Sequence, residues 1–328
     1  MSEKIKKIGV LTSGGDAPGM NAAIRAVVRS CAFHKLDCVG IFRGYEGLME
    51  ADFKPLDARS VKNIINRGGT FLKSARSQKF RTADGRKLAY KNLKEANIDA
   101  LVVIGGDGTF AGASVFNEEF DFPIVGLPGT IDNDINGTDY TIGYDTALNT
   151  VVEAIDKIRD TANSHNRLFL VEVMGRDAGD IALNAGIGAG AEEILIPEQD
   201  MGKDRLVESL RKSKLSGKTS SIIVVSEGDQ IGKNIFELAE YIENNLTAYE
   251  VRVTVLGHIQ RGGSPSCYDR VLASRLGVGA VDALINGESD VMIGIVHNKI
   301  TSVLFKNTVK TKHKIDLELI RVADIISI

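Results

Sequence analysis

The segment Leu101-Val-Val-Ile-Gly-Gly-Asp-Gly-Thr109 joins a short, continuous apolar run to a turn that holds three glycines and one carboxylate. A continuous apolar run of this length is typical of a strand that helices cover on both faces. The segment Ser13-Gly-Gly-Asp-Ala-Pro-Gly19 follows a similar apolar run and precedes a helical pattern. The same arrangement therefore occurs at least twice, and it predicts strands that end in glycine turns at the start of helices.

Apolar runs alternate with helical patterns along the rest of the chain. Residues 24, 27, 28 and 31, for example, are apolar at the spacing of one helix face. This alternation predicts an α/β fold with parallel sheets built from βαβ units, and a length of 328 residues favours two domains. The predicted strands cover residues 8–12, 38–42, 101–104, 124–127, 168–173, 194–196, 222–226, 251–256 and 291–295.

The composition excludes several classes of protein. The chain has 34 glycines, but 43% of its residues are apolar and it lacks a Gly-X-Y period, so it is neither collagen-like nor disordered. A net charge of -3 provides no general attraction for nucleic acid or anionic membrane, so local groups must bind any anionic ligand. Three cysteines without a paired motif argue against a disulfide framework, and we expect a cytoplasmic protein with reduced thiols.

The glycine turns are candidate phosphate sites. Backbone N–H groups at a helix start favour an anion, and glycine lets the backbone approach a ligand closely. In residues 105–109, Asp107 would hold Mg²⁺ beside the phosphates, because a carboxylate alone would repel them. A glycine turn whose Asp107 only caps a helix is the alternative. Residues 13–19 match neither a Walker motif nor GxGxxG, so a structural turn stays equally open there.

Two carboxylates, Asp132 and Asp134, follow a further predicted strand. Open α/β sheets bind their ligands beyond the carboxyl ends of strands. One carboxylate can then serve a metal while the other accepts a hydroxyl proton during phosphoryl transfer. An Asx-rich turn between two domains is the alternative interpretation.

Arginines in five separate segments are candidate phosphate ligands, since a guanidinium binds phosphate through two hydrogen bonds. Each is also compatible with an ordinary surface ion pair. His258 lies near two of them, and it is either a phosphate contact or a core histidine. The arginines are Arg76, Arg167, Arg176, Arg252 and Arg261.

Taken together, these segments resemble the bacterial ATP-dependent 6-phosphofructokinases. The resemblance runs from about residue 5 to residue 300 and rests on residues 13–21, 66–72, 105–109, 128–134, 174–176 and 257–265. It implies two similar three-layer α/β domains with mostly parallel sheets and the active site in the cleft between them. The ATP-binding domain would comprise residues 1–138 and about 257–304, and the fructose 6-phosphate-binding domain residues 139–256 and about 305–328.

The resemblance implies phosphoryl transfer from MgATP to the 1-hydroxyl of fructose 6-phosphate, the committed step of glycolysis. Asp132 would be the general base, Asp134 would lie near the metal, and Thr130 near the γ-phosphate, while Arg76 and Arg176 would stabilise the transferring group. Asp107 would bind Mg²⁺ as cofactor. The residues around ATP would be Gly15, Tyr45, Arg76, Ser77, Gly106, Asp107, Gly108 and Thr109. Those around the sugar phosphate would be Thr130, Ile131, Asp132, Arg167, Met174, Gly175, Arg176, Glu227, Arg252, His258, Ile259, Gln260 and Arg261.

The resemblance also implies a homotetramer in which Arg167 and Arg252 reach into a neighbouring subunit's site, with no role for nucleic acid or membrane. An effector, ADP or phosphoenolpyruvate, would bind between subunits. Ala58 and Ser216 stand where the family has basic residues, so we expect a weakened or altered effector response. The residues that match the effector site are Arg25, Arg29, Arg59, Arg159, Gly190, Glu192 and Lys218.

Two glycines favour ATP as the phosphoryl donor. Pyrophosphate-using relatives have Asp and Lys at the positions of Gly108 and Gly129, and such side chains would fill the space that a nucleotide needs. Both glycines are expected to leave that space open. A pyrophosphate-dependent or other sugar-phosphate kinase is the alternative enzyme. An inactive nucleotide-sensing subunit is the other alternative, and the presence of the whole catalytic set argues against it: Asp107, Asp132, Arg76 and Arg176.

Overall fold

The computed structural model describes residues 5–165, 167–217, 221–247, 249–308 and 315–327. They fall into two compact units. The first contains the described residues within 1–131, 135–146 and 261–311, and the second those within 132–134, 147–260 and 312–328. Among the described residues, none of the helices combines the length and the apolar character needed to span a membrane.

The strands are β1 (Lys7–Thr12), β2 (Asp37–Ile41), β3 (Phe53–Leu56), β4 (Ala100–Gly105), β5 (Ile124–Pro128), β6 (Arg167–Val173), β7 (Glu193–Leu195), β8 (Ser221–Ser226), β9 (Glu250–Val255), β10 (Val291–Val296) and β11 (Lys299–Leu304). The helices are α1 (Met20–Phe33), α2 (Gly44–Glu50), α3 (Ala83–Glu95), α4 (Asp107–Phe120), α5 (Tyr144–His165), α6 (Asp180–Gly188), α7 (Lys203–Leu215), α8 (Ile235–Asn245), α9 (Cys267–Ile285), α10 (Phe305–Thr308) and α11 (Leu317–Ile326). Two 3₁₀ turns cover Lys79–Arg81 and Gly257–Arg261.

The first unit has a seven-stranded sheet in the order β11-β10-β5-β4-β1-β2-β3. Its five inner strands are parallel, and the two edge strands, β3 and β11, run antiparallel to their neighbours. The second unit has a four-stranded parallel sheet in the order β7-β8-β6-β9. The predicted α/β class with two mainly parallel sheets is therefore confirmed.

The sequence analysis missed only the two antiparallel edge strands among the strands of the described chain. β3 contains Pro55, which cannot donate a ladder hydrogen bond and fits only at an edge. β11 is exposed at most of its positions, so its sequence has no continuous apolar run. Edge strands lack the burial on both faces that makes inner strands recognisable.

The core of the first unit is rich in aromatic rings, and Phe110, Phe116, Phe122 and Phe305 are almost completely buried. Helices α1 and α9 pack closely beside this sheet: a Cβ atom at Gly277 would lie 2.6 Å from the Cβ of Ala26. The second unit has its own apolar core, formed by strands β6 and β8 with helices α7 and α8. The predicted assignment of ATP and sugar phosphate to the two halves stays a prediction.

Candidate active site

In the first unit, the two glycine turns predicted as phosphate sites lie side by side. Strands β1 and β4 are neighbours in register, and the Ser13 N–H donates to the carbonyl of Ile104 at 2.9 Å. A Cβ atom at Gly105 would lie 2.4 Å from the Ser13 carbonyl oxygen and 2.3 Å from the Thr109 hydroxyl. This close approach explains why glycine is needed where the second turn begins.

Asp107 is the first residue of helix α4, at the end where the backbone N–H groups and the helix dipole favour an anion. A Cβ atom at Gly108 would meet no atom within 4 Å, so the space beside this helix start is open. The expectation that Gly108 leaves room for a ligand is met. Asp107 itself is partly exposed, although its Oδ1 is buried.

The donor set fits Mg²⁺ that arrives with phosphate. Mg²⁺ usually binds one or two protein carboxylates together with substrate phosphates and water. Asp107 supplies such a carboxylate at a phosphate-favouring helix start. Among the described residues there is no group of three or more His, Cys, Asp or Glu side chains that would hold a metal by itself.

Tyr45 is buried beneath the first turn of α4 and is not exposed at the surface there. Its ring is buried and stacks on Phe80 at 4.1 Å, and its hydroxyl donates to the Thr109 carbonyl at 2.5 Å. Burial raises the pKa of Tyr45 far above its usual range. Tyr45 thus supports the first turn of α4 from below, and its predicted contact with ATP stays a prediction.

Arg76 is exposed, and Ser77 beside it accepts a hydrogen bond from the Phe80 N–H at 3.1 Å. The loop before them is anchored at Lys73, which adopts a left-handed backbone conformation with φ of 59°. Its carbonyl accepts a hydrogen bond from the Thr12 hydroxyl at 2.9 Å. The Arg76 loop is therefore fixed to the end of β1, next to the two glycine turns.

Arg261 packs on the first glycine turn. Its Nη1 donates to the Asp16 carbonyl at 3.3 Å, and a Cβ atom at Gly15 would lie 2.6 Å from that same nitrogen. Glycine at position 15 therefore makes room for a guanidinium. The resemblance implies that Gly15 lies at ATP and Arg261 at the sugar phosphate, and in the first unit the two are in contact.

The end of β5 carries Thr130 and Ile131, which are both buried. The expectation of open space at Gly129 was wrong: a Cβ atom there would lie 3.0 Å from the Met20 methyl and 3.1 Å from Ile104. The space where a Cβ atom of residue 129 would lie is therefore filled by side chains of β4 and α1. Of the two glycines used to favour ATP, only Gly108 borders open space.

In the second unit, Asp132 and Asp134 are buried, with exposures of 2% and 6%. The Asp132 Oδ2 lies 3.6 Å from the Nε of Arg176, whose side chain is half exposed. The structure thus brings together the predicted base and a predicted charge-stabilising arginine. The carboxylate is a group that can accept a proton, and the guanidinium can stabilise negative charge that develops beside it.

The backbone of Arg176 is fixed in an unusual conformation. Its φ is 53°, in the left-handed region that non-glycine residues rarely adopt. The Glu227 carboxylate accepts a hydrogen bond from the Arg176 N–H at 2.8 Å. A Cβ atom at Gly228 would lie 1.9 Å from the Arg176 carbonyl oxygen. Strained residues of this kind concentrate at functional sites, where surrounding contacts hold them.

Gln260 is fully buried and links two parts of the second unit. Its Oε1 accepts a hydrogen bond from the Met174 N–H at 3.2 Å, and its Nε2 donates to the Gly257 carbonyl at 3.0 Å. His258 and Ile259 are exposed in the same turn. Gln260 therefore fixes the turn, while His258 and Ile259 are accessible residues of the same turn.

The predicted phosphate arginines Arg167 and Arg252 share one carboxylate, Glu250, which the sequence analysis missed. Arg167 is paired in register with Glu250, and its Nε lies 2.8 Å from the Glu250 Oε2. Arg252 contacts the other carboxylate oxygen of Glu250. The available signal was the i, i+2 spacing of Glu250 and Arg252, which puts both on one face of a strand.

The sequence pattern of the family described as Phosphofructokinase matches residues 7–284. The chain belongs to the phosphofructokinase family. It is 53% identical over 324 residues to an ATP-dependent 6-phosphofructokinase 2 of Bacteroides thetaiotaomicron, covering 99% of both chains. It is also 53% identical over 326 residues to an ATP-dependent 6-phosphofructokinase of Brevibacillus brevis, covering 99% of this chain and 100% of that one.

Solved phosphofructokinases share the fold. The Saccharomyces cerevisiae phosphofructokinase matches with a TM-score of 0.86 and 38% identity, over 98% of this chain but only 46% of the longer yeast chain. A pyrophosphate-dependent phosphofructokinase of Marinobacter aquaeolei matches with a TM-score of 0.83 and 22% identity, over 96% of this chain and 86% of that one. The latter likeness concerns the fold alone.

The residues predicted for an effector site lie partly in the first unit and partly in the second, and their role stays a prediction. In the second unit, Arg159 donates to the carbonyls of Ala189 and Gly190, both at 2.7 Å, and lies 3.6 Å from Glu192. In the first unit, burial and the charge of Arg29 lower the pKa of Arg25. Arg29 and Arg59 are exposed, as are Ala58 and Ser216. Lys218 lies outside the described residues.

Proposed function

We propose that this chain is an ATP-dependent 6-phosphofructokinase that transfers the γ-phosphoryl group of ATP to the 1-hydroxyl of fructose 6-phosphate. The observation that carries this proposal is the buried Asp132 held at 3.6 Å from Arg176. Full-length relatives at 53% identity with this activity in their names support it. Fructose 1,6-bisphosphate and ADP are the products, and the reaction is the committed step of glycolysis, for which we propose a cytoplasmic location.

The first unit binds ATP in this proposal. The N–H groups at the start of α4 and the two glycine turns hold the phosphates, and Asp107 holds Mg²⁺. When bound, Mg²⁺ neutralises charge on the phosphate oxygens. Gly108 leaves the space that the nucleotide occupies, and Arg76 adds positive charge near the transferred group. Thr130, which is buried at the end of β5, contacts the γ-phosphate.

The second unit binds fructose 6-phosphate. Asp132 accepts the proton of the 1-hydroxyl as that oxygen attacks phosphorus, and Arg176 stabilises the negative charge that develops. Met174 and Glu227 hold the sugar, and Glu227 also holds the Arg176 backbone. Arg167, Arg252 and His258 bind the 6-phosphate, which carries two charges that guanidinium groups match.

A homotetramer is part of the proposal, with Arg167 and Arg252 serving the site of a neighbouring subunit. ADP or phosphoenolpyruvate binds as effector, with a response weakened by Ala58 and Ser216. In support, both positions are exposed, and neither side chain offers a positive charge to an anion. Titration of the activity with both effectors tests this point, and a strong response to either contradicts it.

The Asp132→Asn variant tests the base assignment. We expect kcat to fall by a factor on the order of 10² to 10⁴, the usual contribution of a general base, with little change in KM. Asp282→Asn, which changes a half-exposed carboxylate on α9 that lies 3.3 Å from the His34 Nε2, is the matched control and should keep wild-type activity. Full activity of Asp132→Asn would show that another group takes the proton.

The phosphoryl donor is tested with the unmodified protein. We expect fructose 1,6-bisphosphate to form with ATP and Mg²⁺ and not with pyrophosphate. Turnover with pyrophosphate alone would overturn the donor assignment and favour the pyrophosphate-dependent alternative.

A further inference from the structure

Asp269 is a fully buried carboxylate outside the set of residues assigned to substrates. It lies in the first turn of α9, where Ser266 caps the helix by accepting the Asp269 N–H at 3.2 Å. Buried charges are costly unless hydrogen bonds compensate them. The carboxylate accepts three, from the N–H groups of Gly143 at 2.9 Å and Thr146 at 2.8 Å and from the Thr146 hydroxyl at 2.5 Å.

These hydrogen bonds tie the start of α9 to the first turn of α5 and to Gly143, which directly precedes it. A second set reinforces the connection: the Ser266 N–H donates to the Thr146 hydroxyl at 2.9 Å, and the Ser266 hydroxyl contacts Asp145 at 2.5 Å. The Thr146 hydroxyl thus donates a hydrogen bond to Asp269 and accepts one from the Ser266 N–H. The chain segment that leads from Arg261 into α9 is thereby held against residues 143–146.

The same segment supports the end of β5. The Thr141 hydroxyl donates to the Thr130 carbonyl at 2.7 Å, and the Ile142 N–H donates to the Pro128 carbonyl at 2.8 Å. The first glycine turn packs here too, because a Cβ atom at Gly19 would lie 2.7 Å from Ile142 and 3.6 Å from the Asp269 Cβ. Asp269 therefore lies where three loops of the first unit converge.

We propose that Asp269 is a positioning residue that holds together the loops carrying Gly15, Thr130 and Arg261. It acts through Gly143 and Thr146 and touches no substrate. This inference rests on the proposed function, since its kinetic readout is phosphofructokinase turnover. If the wild-type protein has no 6-phosphofructokinase activity, the proposed function is refuted. If the wild type is active and the Asp269→Asn and Thr146→Val variants behave like it, only the role of Asp269 is refuted.

Asp269→Asn replaces one acceptor oxygen by an NH₂ group that faces the donors of Thr146 or Gly143. We expect kcat/KM for fructose 6-phosphate to fall about 10²-fold in the folded fraction, as displacement of a site loop by about 1 Å does. We also expect faster hydrogen–deuterium exchange at residues 139–146. The control is Asp282→Asn at a half-exposed position of the same helix, which should leave both unchanged.

A matched pair at Thr146 keeps the test valid if Asp269→Asn fails to fold. Thr146→Ser retains the hydroxyl and should behave like wild type, whereas Thr146→Val removes it and should lower kcat/KM about 10-fold. Equal kinetics of the two variants, or a folded Asp269→Asn with normal kcat/KM and exchange, would overturn the proposal.

The pH profile adds a readout that a purely structural role would not move. Burial raises the pKa of Asp269 to about 6, against the lowering effect of the Thr146 and Gly143 hydrogen bonds, and nearby Asp145 raises it further. Burial raises the pKa of Tyr268 to about 12, and the charge of Asp269 is among the neighbouring charges that raise it further. The anchor needs ionised Asp269, so activity should fall as the pH drops through about 6. Thr146→Val should move this midpoint to higher pH, and an unmoved midpoint would contradict the anchor.

Discussion

Gly228→Ala is expected to displace the arginine that pairs with the proposed base. A Cβ atom at position 228 would lie 1.9 Å from the Arg176 carbonyl oxygen, and real Cβ contacts are essentially never below 3.0 Å. The two backbones must therefore separate by at least 1.1 Å (3.0 minus 1.9). Arg176 already has a φ of 53°, so its backbone has little freedom to adapt.

This shift is about the size that costs roughly 100-fold in rate when reacting groups are misplaced. We expect kcat to fall about 100-fold, because the guanidinium moves from its position 3.6 Å from Asp132. Steady-state turnover with ATP and fructose 6-phosphate measures the loss, and circular dichroism with a thermal melt shows whether the variant is folded.

Gly188→Ala is the matched control in the same unit. Its Cβ atom would lie 3.5 Å from Val152, an ordinary contact, so activity and melting temperature should stay near wild type. A folded Gly228→Ala variant with kcat within about threefold of wild type would refute the reasoning, since rates would then tolerate the displacement.

Three further predictions follow from the described contacts. Gly108→Asp should fold normally, because its Cβ meets open space, and should raise KM for ATP at least ~10-fold through repulsion of the phosphates; an unchanged KM would exclude a nucleotide there. Glu250→Gln removes a negative charge that competes with the 6-phosphate for Arg167 and Arg252. KM for fructose 6-phosphate should therefore fall about threefold at low salt and less at high salt. A higher KM would show instead that Glu250 aligns the two arginines. Ellman's reagent should modify exposed Cys267 in the native protein, whereas Cys31 and Cys38 should react only after denaturation. Their mutual hydrogen bond and burial raise the pKa of Cys38, so rapid native reaction of all three thiols would contradict the structure.

Much of the fold was predictable because the burial of an inner strand is visible in the sequence as a continuous apolar run. β4 and β8, for example, are buried at every position and appear as continuous apolar runs. β3 and β11 lack that signal, since exposed polar residues and Pro55 are compatible with a loop as well as with an edge strand. Local patterns do not distinguish these two outcomes.

The candidate site was predictable as a set of residues but not as a set of contacts. The pairing of Asp132 with Arg176 joins positions far apart in the chain, and no local pattern encodes it. The sequence also does not show what surrounds a glycine where a Cβ atom would lie. Gly108 and Gly129 therefore looked alike in the sequence, although Gly108 borders open space and Gly129 borders packed side chains. The anchor at Asp269 depends on the same kind of long-range contact.

The packing of α1 against α9 sets an order of events during synthesis on the ribosome. α1 ends at Phe33, and its partner begins at Cys267, 234 residues later (267 minus 33). At about 5–20 residues per second, the ribosome reaches α9 roughly 12–47 s after it completes α1. Until then α9 cannot cover the apolar face of α1. The sheet and helices of residues 147–260 emerge during this interval. Most of the second unit is therefore made before α9, at a time when the apolar face of α1 still lacks this cover.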